Sequence, residues 1–331
     1  MTRGTGQHRD LAADNRVQPT HRPTPGPIAV LPSADPVFVH AVLAGGGTVE
    51  PLSDATTGVV WLSEKRSDAL EAVLDAHPAI QWVQLPWAGV DAFAGILARF
   101  ADRPYPLWTS AKGAYSEPVA EHAVALTLAL LRRFPQKVRA GRWVEKSGTS
   151  IFGLNVTIVG AGGIASEIIR LLGMFDANIT VVRRSAEPMP GAAVTVTASE
   201  LASVLPTADV VILAAASTGE TARILGEAEF RLMKPSAVLV NIARGALVDT
   251  DALVDALRSG TIAGAGLDVT HPEPLPDGHP LFAEPNCIIT SHSADTPEMT
   301  APLLANRIRL NVAALHSDTG FVGIVDPTAG Y

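Results

Sequence analysis

The sequence predicts an α/β protein built on doubly wound parallel sheets, and three observations carry that expectation. Short β-branched runs alternate with helical stretches from residue 27 onward, the order expected when each strand is followed by a crossover helix. In mid-chain a glycine-rich segment joins an apolar run directly to an amphipathic one. The chain has 331 residues, 47% of them apolar, more than one hydrophobic core usually organises, so two domains are expected.

Strands are predicted in the first part at 28–31, 58–62 and 80–85. Between them residues 67–77 place Leu70, Val73 and Leu74 on one helical face. A long helix is predicted over 116–133, with Pro118 in its first turn, where a missing N–H costs little. A second series of strands follows at 156–159, 179–182, 194–197, 210–213, 238–241, 264–269 and 287–289, enough for a complete doubly wound fold. A last helix over 297–316 has no sheet of its own to complete and is expected to pack back on the first domain. Residues 1–27 mix Arg, Asp, Pro and Thr without an apolar run, which reads as a disordered tail rather than a secretion signal.

Composition removes several classes of function. A formal charge of −8 and the lack of a Lys/Arg cluster argue against a nucleic-acid partner. Residues 119–131 contain Glu121 and His122 and are too short for a hydrocarbon core of ~30 Å, so no membrane span is expected. The single cysteine, Cys287, cannot form an internal disulfide and lies in an apolar run, which reads as a buried thiol in a reducing, cytoplasmic setting. No metal ligands are assigned.

The run VTIVGAGGIA at 156–165 places its glycines between a strand and a helix. Gly160 permits the tight turn, Gly162 lets the backbone approach a pyrophosphate, and Ala165 takes the third glycine's place where helix meets strand; Gly163 and Ile164 begin the helix that receives the anion. This is the fingerprint of a Rossmann-type dinucleotide site. In NAD-specific sites an Asp or Glu at the end of the next strand accepts from the ribose 2′-OH; here Arg183, Arg184 and Ser185 stand there. Guanidiniums suit a 2′-phosphate, so NADP is the preferred cofactor, with NAD as the alternative.

Three further strands end in ionisable residues: NIARG at 241–245, GLDVTHPEPLP at 266–276 and TSHSA at 290–294. Together these segments resemble the D-isomer-specific 2-hydroxyacid dehydrogenase family, which includes glyoxylate and hydroxypyruvate reductases. The resemblance runs from about residue 55 to the end. It implies two Rossmann-like domains with the active site in the cleft between them: a substrate domain of residues 28–117 and 299–331 and a cofactor domain of 118–298. The catalytic residues it implies are Arg244, Glu273 and His292. It assigns the nicotinamide amide to Asp268, the remaining cofactor contacts to Ala216, Thr221, Ile242, Ala243 and Ala294, and a homodimer. The segment PWAGVD at 86–91 resembles the loop whose amides hold the substrate carboxylate, which implicates Trp87, Ala88 and Gly89. EPVAEH at 117–122 resembles the start of the interdomain helix, which implies structural roles for Glu121 and His122. Two positions depart from the family: Arg183 replaces its common Asp, and the usual proline-containing loop after the fourth cofactor strand is Ala214-Ala215-Ala216-Ser217-Thr218.

The residue types fit reduction of a small 2-keto acid. Arg244 can bind carboxylate and keto oxygen through its planar fork, His292 can supply a proton, and Glu273 can orient the imidazole. Two other readings stay open at this point. The resemblance reaches non-enzymatic corepressors of the C-terminal-binding-protein type, which use the fold as a nucleotide-sensing module. It also reaches formate-type dehydrogenases, which have Gln where Glu273 stands.

Overall fold

The computed structural model describes residues 7–63 and 66–328. The chain divides into two compact units, one of Met1–Glu117 with Thr296–Tyr331 and one of Pro118–Asp295.

The first unit is built on β1 (Pro27–Leu31), α1 (Pro36–Ala44), β2 (Thr48–Val49), β3 (Gly58–Trp61), α2 (Ser67–Ala76), β4 (Trp82–Gln84), α3 (Ala94–Phe100) and β5 (Leu107–Thr109). Its five strands are all parallel, in the order β2-β1-β3-β4-β5. Two strands and two helices here go beyond the sequence reading. β2 is two residues at a sheet edge, too short to show alternation. β5 is the three residues LWT just after a proline pair at 104 and 106, where no period can develop. The core of this unit gathers Trp61, Leu70, Val83, Leu85, Phe93, Leu97 and Trp108, all nearly inaccessible.

Helix α4 (Ser116–Leu131) leads into the second unit, followed by α5 (Phe134–Arg139), β6 (Asn155–Val159), α6 (Gly163–Gly173), β7 (Asn178–Arg183), β8 (Val194–Thr197), α7 (Leu201–Val204) and β9 (Val210–Leu213). Then come α8 (Glu227–Leu232), β10 (Val238–Asn241), α9 (Thr250–Ser259), β11 (Gly264–Leu267), α10 (Pro280–Ala283) and β12 (Cys287–Ile289). The seven strands are parallel, in the order β12-β11-β10-β9-β6-β7-β8. Strands β9 and β10 are buried at every position, the continuous apolar pattern of strands covered on both faces. The chain runs from β6 out to β8 and then returns to β9 on the other side of β6, so the strand order reverses between β6 and β9. Ligands bind at such a reversal in open α/β sheets. Cys287 is buried in this core, and burial pushes its thiol up to about 12, so it stays protonated and unreactive.

Helix α11 (Pro297–Leu315) lies in the first unit, packed on α1. Arg307 on this helix is fully buried, and it overturns the expectation of a disordered tail. Its guanidinium pairs with Asp10 at 3.0 Å and also donates to the carbonyls of Ser110 and Lys112. A buried cation left without a counter-charge is strongly destabilising, so the segment carrying Asp10 is held in place. Farther along, Val17 bridges Phe321 in antiparallel fashion, and Arg9 pairs with Glu117. Residues 1–6 of the expected tail and 329–331 of the expected substrate domain lie outside the described residues. Among the described residues, no helix is long and apolar enough to cross a membrane.

Candidate active site

The glycine turn follows β6. Gly160 has φ +121°, and its amide donates to the Val182 carbonyl at 2.8 Å. A Cβ there would overlap the Ala214 carbonyl at the end of β9, so both backbone angle and space demand glycine. Gly162 differs. It precedes α6 with φ −84° and ψ −171°, angles open to any residue, and a Cβ there would meet no atom within 4 Å. The protein itself does not require glycine at this point; its absent side chain leaves room over the helix N-terminus. Gly163 is exposed and Ile164 half-buried, while Ala165 is fully buried where α6 meets the sheet. An exposed helix N-terminus with a cradle that a Cβ would fill fits the pyrophosphate of a dinucleotide.

Strand β7 ends beside this turn at Arg183. Its Nη1 donates to the Glu187 carbonyl at 3.3 Å and its Nη2 lies 3.7 Å from Glu187 Oε2, while Arg184 and Ser185 are exposed. After β9, Thr221 Oγ1 donates to the Ala216 carbonyl and accepts from the Thr218 amide, both at 2.8 Å. It thereby staples the 216–221 loop.

The catalytic candidates follow β10, β11 and β12. Buried Asn241 closes the first turn: its Nδ2 donates to the Arg244 carbonyl at 2.9 Å and its Oδ1 accepts from the Ala243 amide at 3.1 Å. Ile242 and Ala243 are buried, and half-buried Arg244 donates from Nη1 to the Ala243 carbonyl at 2.7 Å. At Gly245 a Cβ would overlap the Thr270 carbonyl, so the Arg244 turn lies directly against the backbone that follows β11. That backbone continues to Glu273, whose Oε1 is 2.6 Å from His292 Nδ1. Both partners of this pair are about half exposed.

Ser291 and His292 hold φ of 52° and 54°, a left-handed region that costs a non-glycine residue about 1–3 kcal/mol. Asp268 counters that cost. Its carbonyl accepts from the His292 amide at 2.6 Å, its Oδ1 from Thr290 Oγ1 at 2.5 Å and the Ser293 amide at 2.8 Å, and its Oδ2 from the Ala294 amide at 3.1 Å. Burial pushes the Asp268 carboxyl up, but hydrogen bonds led by those of His122 and Thr290 outweigh it and hold the carboxyl below the usual range. Its side chain is 1% exposed.

In the first unit, residues 86–89 follow β4. The Tyr115 hydroxyl donates to the Pro86 carbonyl at 2.7 Å, the Ala111 amide donates to the Trp87 carbonyl at 3.0 Å, and the Trp87 ring meets Tyr115 edge to face. Trp87, Ala88 and Gly89 are half-buried; Trp87 Nε1 has no hydrogen-bond partner among the described residues.

Known proteins share this fold and sequence pattern. Residues 124–294 match the family described as D-isomer specific 2-hydroxyacid dehydrogenase, NAD binding domain. The glyoxylate reductase of Pyrococcus furiosus is 32% identical over 278 residues, covering 80% of this chain and 81% of its own. The chain belongs to the D-isomer specific 2-hydroxyacid dehydrogenase family. Its fold matches a family dehydrogenase of Xanthobacter autotrophicus solved with NADPH and MES (TM-score 0.78, 25% identity, 93% of this chain and 100% of that one). An NADPH-dependent glyoxylate/hydroxypyruvate reductase of Sinorhizobium meliloti, solved with citrate, has a TM-score of 0.74 and 27% identity over 92% of this chain and 98% of its own. The protein is therefore an NAD(P)-dependent 2-hydroxyacid dehydrogenase, which moves a hydride between its nicotinamide and a 2-hydroxy or 2-keto acid.

Within the second unit, the dehydrogenase brings Arg244, Glu273, His292 and Asp268 to neighbouring strand ends. One residue here escaped the sequence reading. Asp295 is half-buried, and burial pushes its carboxyl up, the Asp268 charge adding to this and the His292 and Arg244 charges opposing it. It stands three residues beyond His292, so that proximity is the signal that could have found it.

Proposed function

We propose that this dehydrogenase reduces small 2-keto acids of the glyoxylate and hydroxypyruvate class, with NADPH as preferred donor. The observation that carries the catalytic reading is the 2.6 Å contact between His292 Nδ1 and Glu273 Oε1, one strand away from Arg244. With Nδ1 engaged, Nε2 is the nitrogen left to give a proton to the keto oxygen. Arg244 takes the substrate's carboxylate and keto oxygen on its guanidinium and stabilises the charge that develops there. Ala88 and Gly89 offer their amides to the carboxylate, and Trp87 limits the room beside it. When bound, the nicotinamide supplies the hydride.

Gly160, Gly162, Gly163 and Ile164 would hold the pyrophosphate, and Ala216, Thr221, Ile242, Ala243, Asp268 and Ala294 would flank the rest of the cofactor. The preference for NADPH rests on Arg183 at the end of β7, beside the glycine turn, with Arg184 and Ser185 exposed next to it. The names of relatives support the substrate class: the Pyrococcus furiosus protein is a glyoxylate reductase and the Sinorhizobium meliloti one an NADPH-dependent glyoxylate/hydroxypyruvate reductase. We also assign the enzyme to the cytoplasm and to a homodimer.

The test is steady-state oxidation of NADPH and NADH with glyoxylate and hydroxypyruvate. NADPH should give the higher kcat/KM, and Arg183→Asp should lower kcat/KM for NADPH by about 10- to 100-fold, the worth of a charge-assisted hydrogen bond. Equal use of both donors by the parent enzyme, or no turnover of either acid, would overturn the proposal.

A further inference from the structure

Helix α4 crosses β11 in a register that delivers one polar side chain to the active-site strand ends. His122, Leu126 and Leu130 recur every four residues and so share one helix face. Gly264, Gly266 and Asp268 recur every two residues along β11 and its exit and share one face of the sheet. The two rows match in antiparallel order. Leu130 lies over Gly264, and Leu126 and Leu130 over Gly266, so close that a Cβ on either glycine would fall 3.1–3.3 Å from the leucines. One helical turn farther on, His122 Nε2 stands 3.4 Å from Asp268 Oδ1 and 2.9 Å from Thr290 Oγ1.

Donor and acceptor roles along this row are consistent with a single chain. The Thr290 hydroxyl donates to Asp268 Oδ1 at 2.5 Å, so Thr290 Oγ1 is left to accept from His122 Nε2–H at 2.9 Å, with Asp268 Oδ1 as that N–H group's longer second acceptor at 3.4 Å. Asp268, so engaged, accepts the Ser293 and Ala294 amides on its carboxylate and the His292 amide on its carbonyl. Those three amides belong to the turn whose left-handed Ser291 and His292 aim the imidazole at Glu273.

We propose that His122 is a positioning residue for His292: through Thr290 and Asp268 it fixes the turn that sets the proton donor's place. This rests on the reading of His292 as the proton donor. Among the described residues no hydrogen bond or ion pair joins His122 to His292 or Glu273, so it acts through backbone placement. A displacement of the donor by about 1 Å is enough to cost about 100-fold in rate.

The experiment compares His122→Leu, His122→Gln, Thr290→Val and His292→Ala in the full-length enzyme, measuring kcat and KM for glyoxylate and the Kd for NADPH by fluorescence. His122→Leu should lower kcat by about 10- to 100-fold and change the NADPH Kd by a much smaller factor, because the glycine turn and Arg183 lie on other strands. A glutamine amide reaches the place of Nε2 and donates to Thr290, so His122→Gln should retain most of the turnover. Thr290→Val breaks the same chain without touching α4 and should reproduce the loss of kcat, which also covers the case in which His122→Leu does not fold. Full kcat in Thr290→Val, or equal losses in the Gln and Leu variants, overturns the positioning role. If His292→Ala keeps parental kcat, it is the proton-donor reading that falls.

Discussion

Asp295 shows how a single residue can oppose the rest of its site. On the proposed role of Arg244 as the anchor of the substrate, an anionic keto acid approaches the Asp295 carboxylate, whose ionisation responds to the charges of His292 and Arg244. Asp295→Asn should therefore lower KM for glyoxylate by roughly fivefold, equivalent to ~1 kcal/mol between separated unit charges in a partly screened setting. The same change should stabilise the fold, and the sign follows from the raised carboxyl. A group held above its unfolded value, ~3.9 for Asp, ionises less readily in the folded state. That costs stability at neutral pH and stops costing it below the unfolded value. Thermal unfolding at neutral pH should thus show a higher Tm for Asp295→Asn, with the gain vanishing toward pH ~4. A lower Tm together with a higher KM would show that the carboxylate serves the site instead. Asp268 has the opposite sign: its lowered carboxyl stabilises the fold at neutral pH, and that contribution is lost as pH falls through its folded value.

At the scale of elements, the N-terminal segment and α11 depend on each other through one buried charge pair. Arg307 is 0% and Asp10 1% exposed, and Arg307 Nε and Nη2 both donate to Asp10 at 3.0–3.2 Å. Removing only the acid leaves a buried guanidinium without its counter-charge, at a cost of about 3–5 kcal/mol. Asp10→Ala should lower the unfolding free energy of the full chain, read from chemical denaturation, by that amount, whereas substitutions at exposed Asp14 should leave it within about 0.5 kcal/mol. If Asp10→Ala unfolds at the parental midpoint, the segment is ornamental to the unit's stability. A buried polar spine makes the second tie between α11 and the sheet: Asn311 Nδ2 donates to Gln84 Oε1 at 2.9 Å and to the Val322 carbonyl at 3.0 Å.

For the whole molecule, exposed apolar side chains bear on assembly. Between α4 and β6 the chain exposes Phe134 at 53%, Val138 at 79%, Trp143 at 100% and Phe152 at 60%. Large exposed apolar side chains are what a protein–protein interface covers, and the proposed homodimer would bury them. Trp143→Glu should convert a dimer to a monomer in light scattering, because a charge at the core of an apolar interface is left desolvated and unpaired. Identical masses for parent and variant would place the interface elsewhere or remove it.

Much of this protein is written locally. All seven strands of the second sheet are visible in sequence because most are apolar or β-branched runs bounded by turn residues, and the Gly160 and Gly162 turn is visible because strand, glycines and helix follow one another directly. Arg244, Glu273 and His292 lie in segments that follow three such strands, and it is the resemblance of those segments, taken together, to the dehydrogenase family that names them. What tertiary structure alone decided lies at long separation. Asp10 finds Arg307 across 297 residues and His122 finds Thr290 across 168. Neither pairing leaves a period or a motif in the chain. A charge or imidazole in sequence carries no address until packing fixes its surroundings: the burial of Arg307 makes an acid necessary, and the register of α4 over two glycines of β11 places His122 at the site.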